Sequence, residues 1–136
     1  MPDSTLSGSC LCGAVTYTVT GEERFFYHCH CRRCRKATGT GHASNLFVHG
    51  SLCFDSGEEQ VQTFKLPDAK RFGNTFCSYC GARVPVFIDE FGLCMIPAGS
   101  LDDEPSIRPE ARIFVGSRAE WSCSGERIPS FDEYKR

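Results

Sequence analysis

The chain has 136 residues, 40% hydrophobic and 24% charged, with a formal net charge of -2. That length suits a single domain over residues 1–136 with one core, and the balance excludes both a disordered chain and a membrane-embedded one. No apolar run approaches the ~18 residues needed to cross a bilayer, and the acidic charge argues against a duplex-binding surface. The opening Met1-Pro2-Asp3-Ser4-Thr5-Leu6-Ser7 has neither the basic stretch nor the apolar core of a secretory signal, so a cytoplasmic address is expected.

In chain order the dominant period is two. Val15, Tyr17 and Val19 alternate with Thr16, Thr18 and Thr20, the pattern of a half-buried strand. Gly21-Glu22-Glu23 reads as a turn, followed by a short strand over Arg24–His28. Further strands are expected over Ser44–His49, Gln60–Leu66, Arg71–Phe76, Arg83–Ile88, Leu93–Ile96 and Arg112–Val115. Turns are expected at Asp55-Ser56-Gly57, Asp89-Glu90-Phe91-Gly92 and Pro97-Ala98-Gly99-Ser100, and a solvated acidic loop at Asp102-Asp103-Glu104-Pro105. Pro85 inside the Arg83–Ile88 run places that strand at an edge or on a bulge, because proline has no N–H for the ladder. Only Cys31–Lys36 and Pro129–Tyr134 read as helical turns. The class is mainly β, with short antiparallel strands and little helix.

Ten cysteines are many for a reducing compartment. Metal binding accounts for them better than disulfides do. The spacings Cys10-x-Cys12, Cys29-x-Cys31-x-x-Cys34 and Cys77-x-x-Cys80 are too tight for easy disulfide geometry but suit chelation. Cys77-Ser78-Tyr79-Cys80-Gly81 has the form of a zinc knuckle, whose final glycine can take a positive φ and turn N–H groups toward sulfur. Cys10-Leu11-Cys12-Gly13 ends the same way. Joined, the two pairs make a closed set of four thiolates, of the structural kind. The alternatives are that the two pairs bind separate metals or stay reduced, or that a zinc ribbon pairs Cys31 and Cys34 with Cys77 and Cys80.

The second cluster, Cys29, Cys31 and Cys34, offers three thiols. Alternation turns Cys29 and Cys31 to one face and His28 and His30 to the other, unless His30 supplies a fourth ligand. Three ligands leave a zinc position open, as in substrate-binding sites. Zinc with three thiolates is a weak Lewis acid that holds an added thiolate well, and Arg32, Arg33, Arg35 and Lys36 can offset its charge and capture carboxylates. A small acidic thiol such as glutathione fits that description. The basic run also reads as an ordinary solvated face. Cys53, Cys94 and Cys123 read as buried structural cysteines. His42 and His49, near strand ends, are candidates for lining a pocket.

Gly8-Ser9-Cys10-Leu11-Cys12-Gly13-Ala14-Val15-Thr16-Tyr17, the Cys29–Gly39 stretch and Phe76-Cys77-Ser78-Tyr79-Cys80-Gly81 together resemble the glutathione-dependent formaldehyde-activating enzyme family, which includes centromere protein V. Glu120-Trp121 and Ile128-Pro129-Ser130-Phe131 are similar to that family's ending. The resemblance implies an Mss4-like zinc-stapled fold, with a structural zinc on Cys10, Cys12, Cys77 and Cys80 and a second, open zinc on Cys29, Cys31 and Cys34. It implies carbon–sulfur lyase or synthase chemistry joining formaldehyde to glutathione as S-hydroxymethylglutathione. A small thiol and an aldehyde are then the expected partners. The rival functions are a non-catalytic zinc-binding interaction module, which the acidic charge disfavours, and a redox or metal-buffering protein using the second cluster.

Overall fold

Two long strands dominate the computed structural model, which describes residues 3–122 and 128–135. In chain order the elements are β1 (Ser4–Ser9), β2 (Thr16–Cys29), α1 (Arg32–Thr38), β3 (Ala43–Ser56), β4 (Val61–Lys65), β5 (Gly73–Cys77), β6 (Val86–Ile88), β7 (Leu93–Pro97) and β8 (Ala111–Ile113), with three single 3-10 turns between them. The main sheet runs β1-β2-β3-β7-β6, and β8 adds to β2 in parallel. β4 and β5 form a separate antiparallel pair. The remaining pairings are antiparallel, so the mainly β architecture expected from alternation is present.

The sequence suggested a turn at Gly21-Glu22-Glu23, but β2 runs straight through it for 14 residues. Gly21 lies opposite Gly50 of β3. A Cβ on Gly21 would meet the His49 carbonyl oxygen, and one on Gly50 the Thr20 carbonyl oxygen. The paired glycines therefore serve close backbone approach, and a register shift between Glu23 and Phe25 absorbs the twist. The same pairing carries β3 beyond the expected Ser44–His49 out to Ser56, which leaves His49 mid-strand and exposed rather than at an end.

Other expectations differ in smaller ways. β6 begins after Pro85 and lies at the edge of the sheet, as proline requires. The Arg112–Val115 strand stops at Ile113, because Phe114 adopts φ 56 and breaks the extended run. Residues 129–134 form no helix, with bends over 132–134; Phe131 and Tyr134 are exposed, so little burial holds a single turn in place. β1 carried too little alternation to be read from sequence and forms by pairing with β2.

The main core gathers Leu6, Tyr17, Val19, Phe26, Leu46, Val48, Cys94 and Ile96 on one face of the sheet. Fully buried side chains such as Leu46 and Ile96 each contribute about 1.5–3 kcal/mol of transfer free energy. Gly8 faces Tyr17 across β1 and β2, and the phenol occupies the space a Gly8 side chain would need. Tyr17 closes the packing with a 2.5 Å hydrogen bond between its hydroxyl and that of Ser100. A second, smaller core forms around Cys10, Val15, Cys77 and Val84, and a third around Cys29, Cys34 and Ala43. Among the described residues, no helix is long and apolar enough to cross a membrane.

Candidate metal centres

The residues just before β2 and just after β5 converge. The sulfurs of Cys10, Cys12, Cys77 and Cys80 all lie within 4.8 Å of one another. Cys10 Sγ is 3.7 Å from Cys12 Sγ, which is in turn 4.0 Å from Cys77 Sγ. A tetrahedron with zinc–sulfur bonds of about 2.3 Å has sulfur–sulfur edges of about 3.8 Å, so these spacings fit one four-coordinate metal and are far too long for a disulfide. All nine cysteines among the described residues are free thiols.

The knuckle turns explain the convergence locally. Gly13 and Gly81 adopt φ 82 and φ 78, and a Cβ at either position would meet nothing within 4 Å. Glycine is needed there for the left-handed backbone and not for space. The Gly81 N–H donates to the Cys77 carbonyl at 2.7 Å, and the Val15 N–H donates to Cys10 Sγ at 3.3 Å. The Val15 donor, aimed at sulfur, favours thiolate over thiol at Cys10. An N–H from Ala82 chiefly holds Cys80 down at about 6. Cys12 is pushed up to about 11: an Ala14 N–H pulls it down, but burial and the neighbouring sulfurs outweigh that pull. Cys12 and Cys80 are thus pushed in opposite directions, and a divalent ion bound by the group would favour the thiolate form of each.

The second group lies at the far end of β2, roughly 40 Å along the strand contour. Cys29 ends β2, Cys31 is the N-cap of α1, and Cys34 sits in its first turn. Their three sulfurs also lie within 4.8 Å of one another. The Cys34 N–H donates to Cys31 Sγ at 3.2 Å, so the cap that starts the helix also aims a ligand. Hydrogen bonding from Cys34 chiefly holds Cys29 down at about 6, while the same bond and burial push Cys34 far up. Among the described residues no histidine or carboxylate joins either group.

The basic residues are placed unevenly. Arg32, Arg33 and Lys36 are exposed, whereas Arg35 donates to the Ser117 carbonyl at 3.0 Å and ties α1 to the chain beyond β8. Sequence reading missed Arg83. It is half-buried, donates to Asn74 Oδ1 at 2.7 Å, and interacts electrostatically with Cys34. Burial works against its charge, and negative charge developed at Cys34 would work for it. Nothing local marks an arginine inside a strand-like run as a neighbour of a cysteine 49 positions earlier.

Cys94 is buried as expected. Cys53 is not: it is exposed on β3 with Asp55 Oδ1 3.7 Å from its sulfur, because it alternates with Leu52 and Phe54, which pack against the core, and so faces the other way. Cys123 lies outside the described residues. His28 and His42 stack at 4.1 Å, and His30 meets His42 at 5.1 Å, away from the thiols.

The family model of the glutathione-dependent formaldehyde-activating enzyme matches residues 5–117. A Halomonas elongata protein named "Putative glutathione-dependent formaldehyde-activating enzyme" is 29% identical over 119 residues, which is 81% of this chain and 73% of that one. A solved structure of a Rhodobacter sphaeroides protein superposes with a TM-score of 0.51 at 20% identity, covering 78% of this chain and 97% of its own. That last likeness concerns the fold alone.

Proposed function

As this chain belongs to the glutathione-dependent formaldehyde-activating enzyme family, we propose that it is a zinc-dependent carbon–sulfur lyase or synthase acting on a glutathione-type thiol adduct in the cytoplasm. One observation carries the reading: three thiol sulfurs converge, with no fourth protein ligand among the described residues. Residues 1–136 act as one zinc-binding domain. Cys10, Cys12, Cys77 and Cys80 hold a structural zinc, and Cys29, Cys31 and Cys34 hold the second. When bound there, zinc supplies an open position and lowers the pKa of an incoming thiol.

The net reaction balances without a redox partner. The thiol sulfur bonds to the aldehyde carbon, the carbonyl π pair moves to oxygen, and the thiol proton ends on that oxygen. Lysis is the reverse. The chain's own residues bind and orient. Arg83 offsets negative charge beside Cys34, and Ile113 and Phe72, packed against the cluster, keep water from that side. Arg32, Arg33 and Lys36, exposed on α1, offer donors for the carboxylates of the thiol substrate, with Arg35 anchoring the helix that presents them. Holding thiol and aldehyde together raises their effective concentration.

The test is zinc stoichiometry on protein purified without chelator, with glutathione in competition. Two zincs per chain, one of them perturbed by glutathione, is the expected result. A single zinc with no glutathione response would leave only the four-cysteine staple. The interaction-module reading would then lead, supported by the exposure of Leu11 and Tyr79 at the two knuckle tips.

A further inference from the structure

Three strands meet at the end of β2, and each places neighbouring residues on opposite faces. Cys29 is paired with Ala43 of β3 and with Ile113 of β8, and all three pack on the thiol side. The preceding residue of each strand faces the other way. There His28 lies beside Arg112 across the β2–β8 pair, and His42 stacks on His28. His30, of the same parity as His28, closes the group against His42.

This second face sets three imidazoles beside guanidiniums, with no carboxylate acting on the rings. His30 is 1% exposed, and neither of its ring nitrogens reaches hydrogen-bond geometry with a partner, the Gly41 backbone offering it only a weak interaction. The charged neighbours acting on the imidazoles are Arg112 and, for His30, Arg118; no carboxylate is among them. A buried ring with unmet polar atoms beside a guanidinium is costly unless something accepts from it.

The surroundings form a built recess. Gly41 lies beside His30, and a Cβ there would come within 2.8 Å of Ser122 Oγ, so the 119–122 segment closes one side. Arg118 fastens that segment by donating to the Ser122 carbonyl at 3.3 Å. His28 and His42 are half-buried and Arg112 is exposed, which leaves the opposite side open to solvent. A metal does not fit: the three imidazoles do not converge their nitrogens as the thiols converge their sulfurs, and two guanidiniums repel a cation.

We propose that His28, His30, His42 and Arg112 form a binding site for a small carboxylate, on the face of β2 opposite the three thiols. The carboxylate accepts from the Arg112 fork at the mouth and from imidazole N–H groups toward the floor. The site stands on these residues alone and does not depend on the zinc reading.

The experiment follows the histidine ring signals of the full chain, as purified, by NMR during titration with sodium acetate, with sodium chloride at matched ionic strength as control. Saturable shifts of His28, His30 and His42 with acetate, absent with chloride, are expected. Arg112→Gln should weaken that binding about tenfold while zinc content and melting stay unchanged. S-methylglutathione, which carries carboxylates but no free thiol, separates the two sources. If it saturates the same signals more tightly than acetate, the carboxylate belongs to the thiol substrate; if it is silent while acetate saturates, the ligand is a free small acid. Shifts that never saturate, that match those in chloride, or that persist at full affinity in Arg112→Gln overturn the proposal.

Discussion

The two cysteine clusters use the same side chain at opposite ends of one strand, yet they are built differently. The first draws its sulfurs from two glycine-ended turns 65 residues apart, so it ties the start of β2 to the end of β5. The second takes all its sulfurs from one short stretch, Cys29 to Cys34, and closes no long loop. Loop-closure entropy would make the first the larger contributor to folding, because a metal bound there would remove far more freedom from the unfolded chain. Ligand number points the same way: four donors close a site and three leave it open. The lesson is that a cysteine's contribution depends on how much chain its partner lies across.

The sharpest way to break this comparison is Cys77→Ser. Loss of a ligand from the long-range cluster should cost about 4 kcal/mol or more, or prevent folding altogether. Thermal melting with zinc analysis checks it, and wild-type melting with full zinc content would sink the structural assignment.

The connecting sheet gives a prediction that touches both clusters together. Burial pushes the Tyr17 phenol up to about 12 from 10.0, against the hydrogen bond from Ser100. Folding thus favours the neutral phenol. That stability is complete below about pH 10 and drains as pH climbs through about 12, a loss of about 2–3 kcal/mol. Denaturant melts across that range should show it in the wild type and not in Tyr17→Phe, whose melts should lack this alkaline limb.

A backbone test is smaller. Gly81→Ala adds no clash but forces a side chain to φ 78, costing about 1–2 kcal/mol and weakening zinc retention at the first cluster. Gly39→Ala forces the same strain at φ 71 beyond α1 and should lower melting comparably while the first zinc stays. Equal zinc loss in both variants would erase the distinction between the clusters.

The smallest effect on stability is expected for Cys31→Ser. Serine keeps the N-cap of α1, so the change should stay under about 1 kcal/mol while zinc falls by about half and glutathione no longer competes. An insoluble product would make the second cluster a structural one.

The legible parts of the molecule are those written in short spacing. The two-residue period of Val15, Tyr17 and Val19 marks the start of β2, and Pro85 marks β6 as an edge. Their glycine endings matched Cys10–Cys12 with Cys77–Cys80. Cys29-x-Cys31-x-x-Cys34 declared itself as a trio, with alternation turning His28 and His30 away. Covalent geometry and the left-handed preference of glycine act over a few residues, so such features need no knowledge of the rest of the chain.

Tertiary structure alone decided the rest. The Gly21–Gly50 contact, which makes one strand of an expected turn, exists only when β2 and β3 pair. Cys53 is exposed because the β2–β3 register turns Leu52 and Phe54 to the core and Cys53 away from it, and Arg83 comes within electrostatic range of Cys34 only in the folded chain. His42 and Arg112 join His28 and His30 from two other strands, which turns a local alternation into a recess. Each depends on a close approach between distant segments, and the entropy of bringing those segments together is settled by the whole core rather than by any window of sequence.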